Sequence, residues 1–239
     1  SSTRGIPYST TFDLNNKELL TLHKTYEAIL ADLNEAETLL ANDTVVNVET
    51  SPSSDYLKGR GVLFNKYAVA ATKARVYYAM GNYTEAARYA QQVLDATSNF
   101  KLKKLSSLDD VKRYPANGEM IFGLYNDKLS SNISEMFLNA TSRGNFTEAR
   151  RDIEDLYDKR SLSATSTDLR LTTYYREATA VSSGKTFSFV RFIETPAAVT
   201  NSPLKGITLI RLPEMYYILA EANYDTNPTK AVQYLNDVR

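Results

Sequence analysis

Two kinds of side-chain grouping in this sequence could do chemistry. The first is acidic: Asp109 with Asp110, and Asp152 with Asp155, pair carboxylates as acid–base work or cation binding requires. No second ligand group accompanies either pair, so solvated helix faces account for them. The second grouping sets aromatic rings beside polar side chains. Tyr125 is followed by Asn126 and Asp127, and the stretch from Phe137 to Phe146 encloses Asn139, Arg143 and Asn145. A sugar presents C–H faces that stack on rings and hydroxyls that need donors and acceptors, so this mixture suits sugar recognition. Core packing is the competing reading for each ring.

Other chemistries lack their residues. Gly59-Arg60-Gly61 has neither the spacing of a phosphate loop nor the Lys-Ser/Thr that follows one. Lys103-Lys104 and Arg150-Arg151 are too short to be nucleic-acid patches. Basic and acidic residues balance at 28 each, so no field gathers nucleic acid or an anionic membrane surface. Cysteine is absent, which excludes disulfides, thiolate catalysis and Cys-ligated metals. The one histidine, His23, falls off the apolar stripe of its helix and reads as solvated. The expectation is a non-enzyme with no catalytic residue, no metal and no cofactor. Five Asn-x-Ser/Thr triplets, at Asn42, Asn82, Asn132, Asn139 and Asn145, reflect a chain rich in these residues. No apolar run approaches the roughly 20 residues that cross a bilayer. At 43% hydrophobic and 23% charged the composition is that of an ordinary globular protein, with tyrosine abundant at 17.

The elements that must position these groups are mostly helices. Tyr67 to Leu94 reads as two helices folded back on each other at Met80-Gly81-Asn82-Tyr83. Ala70, Ala71 and Ala74 form a seam that lets a neighbour come close, with Tyr77 and Tyr78 beyond it. Gly81 frees the backbone and Asn82 caps the second helix, which buries Ala86, Ala90, Val93 and Leu94. Gly81, Tyr83 and Ala86 are spaced as in the inter-helix turn of a tetratricopeptide (TPR) repeat, with a plain helical hairpin as the alternative. Upstream, Asn15 with Glu18 suggests a capping box, and a helix over 16–40 carries Leu19, Leu22, Tyr26, Ile29, Leu33, Ala36 and Leu40 as one stripe.

Downstream of the hairpin, a short helix is expected within 101–114 and a strand over Glu119–Tyr125. Gly144-Asn145-Phe146-Thr147-Glu148-Ala149 echoes the hairpin turn, with a plausible helix after it bearing Ala149, Ile153 and Leu156. Thr186–Phe192 alternates as a strand paired with Thr172–Tyr175, and Ile207–Tyr224 begins as a strand and continues as a helix. Pro228 then opens a last helix that is cut short at Arg239, which is not a natural domain end. The reading is therefore mostly α, in three parts of one domain. They are a helical scaffold over 1–114, an irregular α/β variable region over 115–203, and a second TPR-like hairpin, truncated, over 204–239.

These residues, in this order, resemble the SusD/RagB family of outer-membrane nutrient-binding lipoproteins. Gly5-Ile6-Pro7 is similar to its entry motif, Asp32-Leu33-Asn34-Glu35-Ala36 to an early helix, and Ala74-Arg75-Val76-Tyr77 with Gly81-Asn82-Tyr83 and Ala86 to its hairpin. Glu119-Met120-Ile121-Phe122 matches a short strand, and Asp168-Leu169-Arg170 resembles an Asp-Pro-Arg motif with Leu169 in place of Pro. Ile210-Arg211-Leu212-Pro213-Glu214-Met215-Tyr216 and Leu235-Asn236-Asp237-Val238-Arg239 match the closing motifs. Asp168 with Arg170, and Arg211 with Glu214, read as structural pairs. The resemblance covers the middle-to-late portion of a family member.

It implies a SusD-like fold and a non-catalytic protein on the cell outer membrane, surface-exposed. Such a protein captures an oligosaccharide or polysaccharide for import through a TonB-dependent (SusC-like) transporter. Attachment would be by a lipid anchor absent from these residues. Within the family the variable region carries part of the ligand surface. A peptide ligand, or an intracellular TPR protein-interaction adaptor, are the alternatives. The adaptor fits less well, because about ninety residues of irregular material interrupt the hairpins.

Overall fold

Asn65 is fully buried and starts the central hairpin, its side-chain oxygen accepting from the N–H groups of Tyr67 and Ala68 at 2.9 and 3.1 Å. The computed structural model describes residues 3–43, 45, 60, 63–102, 119–126, 128, 131–132, 135, 147–149, 155–157, 175–179, 185–189 and 206–238. The chain divides into two compact units, one of residues 1–102, 118–123 and 209–239, the other of 103–117 and 124–208.

In the first unit, α2 (Lys66–Ala79) and α3 (Tyr83–Leu94) form the expected hairpin. Gly81 turns the chain at φ 74°, a conformation that L side chains resist, and the Asn82 side chain accepts from the Glu85 N–H at 3.2 Å. Ala68, Ala70, Ala71 and Ala74 of α2 and Ala86 and Ala90 of α3 are buried, so backbones approach where no large side chain intervenes. Strand β7 (Gly206–Arg211) runs directly into α4 (Leu212–Ala222), with Pro213 in its first turn, as the sequence indicates. Asn227 caps α5 (Pro228–Val238) by accepting from the Lys230 N–H at 3.1 Å. Met215, Ile218 and Leu219 of α4 and Tyr234 of α5 join α2 and α3 in one core with Ile121 and Ile210. Those last two come from β3 (Met120–Tyr125) and β7, which pair as a two-stranded sheet.

The first helix departs from expectation. It does not begin near Asn16: Leu19–Thr21 is a strand, β2, antiparallel to β1 (Arg4–Pro7), and α1 spans Leu22–Leu39. Thr21 is the cap, its hydroxyl accepting from the Lys24 N–H at 3.3 Å, so the Asn15/Glu18 capping box is not formed. Leu19 and Leu22 are accordingly exposed, and the buried stripe reduces to Leu33 with Tyr26, Ile29, Ala36 and Leu40 half-buried.

In the second unit, β4 (Thr147–Ala149), β6 (Lys185–Phe189) and β5 (Tyr175–Thr179) make an antiparallel sheet in that order. The strand pair read from the sequence is present but shifted, with Tyr175 opposite Phe189 and Thr179 opposite Lys185. Thr147–Ala149 is strand, so the echo of the hairpin turn does not start a helix at Ala149: pairing with Thr186–Ser188 claims that backbone first. The helix expected within 101–114 lies outside the described residues, apart from Lys101 and Leu102, which are not helical.

Candidate functional site

Of the residues read as ligand-binding, two fall where the structure describes them. Tyr125 ends β3, and the half-buried Asn126 follows it. The Asn126 side-chain oxygen accepts from the Lys128 N–H at 3.0 Å, which commits that oxygen to a turn and leaves the amide hydrogens to offer a ligand. Phe137, Asn139, Arg143, Asn145 and Phe146 lie outside the described residues, as do Asp168 and Arg170.

An aromatic cluster occupies one face of the three-stranded sheet. Tyr175 and Phe189 are direct cross-strand partners with ring centroids 5.5 Å apart, and Phe187, two residues from Phe189, meets Tyr175 edge-on at 6.3 Å. Tyr157 packs on Tyr175 at 5.8 Å. Phe187 is buried while Tyr157, Tyr175 and Phe189 stay partly open. The alternation over 186–192 marks Phe187 and Phe189; nothing in the sequence marks Tyr157 as their neighbour.

The motif residues of the first unit prove to be fastenings. Tyr83 covers the hairpin turn, its ring edge-on to Tyr78 at 5.9 Å, and Ala86 is fully buried behind it. Arg211 and Glu214 do not pair with each other, contrary to the sequence reading. Arg211 stands at the extended N-cap of α4 (φ −119°, ψ 151°) and pairs with Glu119 beside β3. Glu214, inside the helix, takes both arms of Arg75 on α2 at 2.6 Å, while Arg75 also donates to the Leu209 carbonyl at 3.2 Å. The Glu214 carboxylate holds the Arg75 guanidinium above its ordinary pKa against partial burial. One turn along, the Tyr78 hydroxyl donates to Glu221 at 2.6 Å, and that acceptor raises the phenol's pKa.

The sequence reading misses one group altogether. Lys73, within the alanine seam, is fully buried, and its Nζ donates to Glu37 and Asn34 on α1 and to the Tyr89 hydroxyl on α3. Burial pulls its pKa down, but the hydrogen bonds to Glu37 and Tyr89 outweigh that and leave it raised. Tyr89 lies under this ammonium at 4.9 Å and stacks parallel to Tyr77 at 5.7 Å. Among the described residues no cluster of His, Asp and Glu could hold a metal ion, and no helix is long and apolar enough to cross a membrane.

No family model matches the chain, and no curated protein matches it in sequence. Solved structures do match. A SusD superfamily protein from Bacteroides vulgatus ATCC 8482 superposes with TM-score 0.66 at 20% identity, over 99% of this chain and 50% of that one. A SusD superfamily protein from Bacteroides thetaiotaomicron VPI-5482 gives 0.63 at 19% identity, over 97% and 52%. A laminarin-binding SusD-like protein gives 0.60 at 18% identity, over 98% and 58%. The chain therefore has the SusD-like fold, and it spans about half the length of these structures.

Proposed function

We propose that this chain belongs to a non-catalytic surface protein that captures glycans for import through a TonB-dependent outer-membrane transporter, where a lipid anchor holds it. The observation that carries this reading is the SusD-like fold over almost the whole chain, shared with a protein described as laminarin-binding. The layout is consistent with it. Helical hairpins fastened by Arg75–Glu214 and Tyr78–Glu221 give a rigid frame, while the aromatic–polar residues Tyr125 to Phe146 fall in a separate unit that can vary in composition. Rings with neighbouring amides, as at Tyr125–Asn126, supply the stacking and hydrogen bonding that sugars need.

Titration of the complete protein against a panel of soluble oligosaccharides and peptides tests the proposal. Saturable binding of a glycan supports it; binding of peptides alone overturns it. Tyr125→Ala, Phe137→Ala and Phe146→Ala should weaken glycan binding with thermal stability retained. Tyr77→Ala, which removes the ring stacked on Tyr89, should lower stability instead. Unfolding in the first group, or unchanged affinity, removes those rings from the site.

A further inference from the structure

The helical hairpins carry an aromatic surface of their own. Tyr217 and Glu221 are four residues apart on α4 and so share one face. Tyr224 follows, its N–H donating to the Glu221 carbonyl at 3.0 Å. Glu221 accepts the Tyr78 hydroxyl through Oε2 at 2.6 Å, and the Tyr78 ring meets Tyr83 edge-on at 5.9 Å. Four tyrosines thus form one connected run across the ends of two hairpins. They are open to solvent: Tyr217 is 53% exposed, Tyr224 70% and Tyr83 44%. A large ring left this open gives up the burial that would otherwise place it in a core.

We propose that this run is an oligosaccharide-contact surface, separate from the aromatic–polar residues of the second unit. The chemistry between the rings favours a sugar. Phenol hydroxyls both donate and accept, and Glu221, with Oε2 held by Tyr78, has Oε1 to accept from a sugar hydroxyl. Arg75, the cation one turn along α2, is already forked onto Glu214 and offers no competing anion site. The core of a protein–protein interface is more apolar than this, with aliphatic side chains packed among its rings. Here ring faces alternate with hydroxyls and a carboxylate, the pattern of a pyranose with its C–H face and hydroxyl rim. A polymer long enough to engage both surfaces would be retained more strongly than a short oligosaccharide.

These 239 residues contain no tryptophan, so Tyr217→Trp introduces an indole at the surface. Its emission, taken as the difference from the unsubstituted protein, reports on this surface alone. The complete protein carrying Y217W is titrated with laminarihexaose, cellohexaose and maltohexaose to millimolar concentration. The expected result is a saturable change with at least one sugar. Adding Tyr224→Ala should weaken it about three- to tenfold, the scale of one aromatic contact. Tyr224→Phe, which keeps the ring, should stay within about twofold, and Tyr125→Ala should leave the signal unchanged. Three results overturn the proposal: no saturable change with any of the sugars, a change abolished by Tyr125→Ala, or a concentration-dependent change without sugar. The last would mean that a second copy of the chain covers the surface.

Discussion

The ammonium of Lys73 sits 2.5 Å from Glu37 and 2.6 Å from Asn34, so a buried cation pins α1 to the alanine seam of α2. Lys73 has no exposed surface, whereas Glu37 keeps 42% of its side chain in solvent. Glu37→Ala should therefore destabilise by about 1–3 kcal/mol, the scale for orphaning a buried polar group. That is less than the roughly 3–5 kcal/mol for breaking a fully buried pair. Urea denaturation checks this through a lower midpoint at unchanged slope. Lys73→Met in the Glu37→Ala background should recover part of the loss, since the two changes share one interaction.

Alkali should act on the fold through several groups of the same sign. The Tyr8 hydroxyl donates to Asp32, and this bond pushes its pKa from the ordinary 10.0 up to about 12. Burial raises Tyr67 and Tyr216, and Glu221 raises Tyr78. A folded-state pKa above the unfolded value means that unfolded chains lose protons first. The Tyr8 contribution is thus fully present below pH 10 and lost as pH rises through about 12. Lys73, also raised, loses its contribution at the alkaline end. Denaturation midpoints of the parent and Tyr8→Phe should differ at pH 9 and converge towards pH 12; a constant difference would contradict this assignment.

Two glycines should fail for different reasons. A Cβ on Gly5 would stand 2.2 Å from Thr25 Oγ1 and 2.9 Å from the Thr21 carbonyl, so Gly5→Ala should cost about 1–3 kcal/mol by overpacking β1 against α1. Thr25→Ala in that background should relieve part of it. At Gly81 nothing lies within 4 Å of where a methyl group would stand, and the penalty there is conformational. Gly81→Ala should cost about 1–2 kcal/mol and Gly81→Asn less, because Asn tolerates positive φ. Thermal or urea unfolding of the four variants separates the two causes.

Ala74 is fully buried in the core shared by α2, α3 and α4. Ala74→Leu should overpack the seam and cost about 1–3 kcal/mol in chemical denaturation. No loss would mean that the helices do not meet there.

What the sequence makes legible is what short-range rules govern. The Gly81 turn, the Asn65 and Asn82 caps, the passage from β7 into α4 and the start of α5 at Pro228 each depend on residues within one turn of one another. The start of α1 does not. Three helix-compatible residues, Leu19 to Thr21, are taken by β1, with the Leu22 N–H donating to the Thr3 carbonyl at 2.8 Å. Arg211 and Glu214 stand three apart, as a local helical pair would. Yet Arg211 is still extended, and their true partners, Glu119 and Arg75, are 92 and 139 residues away. The candidate ligand residues show the same divide. Composition marks Tyr125 and Asn126 as aromatic beside polar, but only tertiary structure commits the Asn126 oxygen to a turn or brings Tyr78 to Glu221.

The pairing of β3 with β7 has a consequence for chain topology. Leu212, after β7, donates to the Glu119 carbonyl, before β3, at 2.8 Å, so the strands run in opposite directions and Tyr125 and Gly206 end side by side. Roughly eighty residues leave and return through those adjacent ends. Loop-closure entropy grows only with the logarithm of length, about 0.6 kcal/mol per doubling, so the helical frame is almost indifferent to how long that excursion is. Insertions, deletions or wholesale exchange between these two points should be accommodated far more readily than a single methyl added at Gly5.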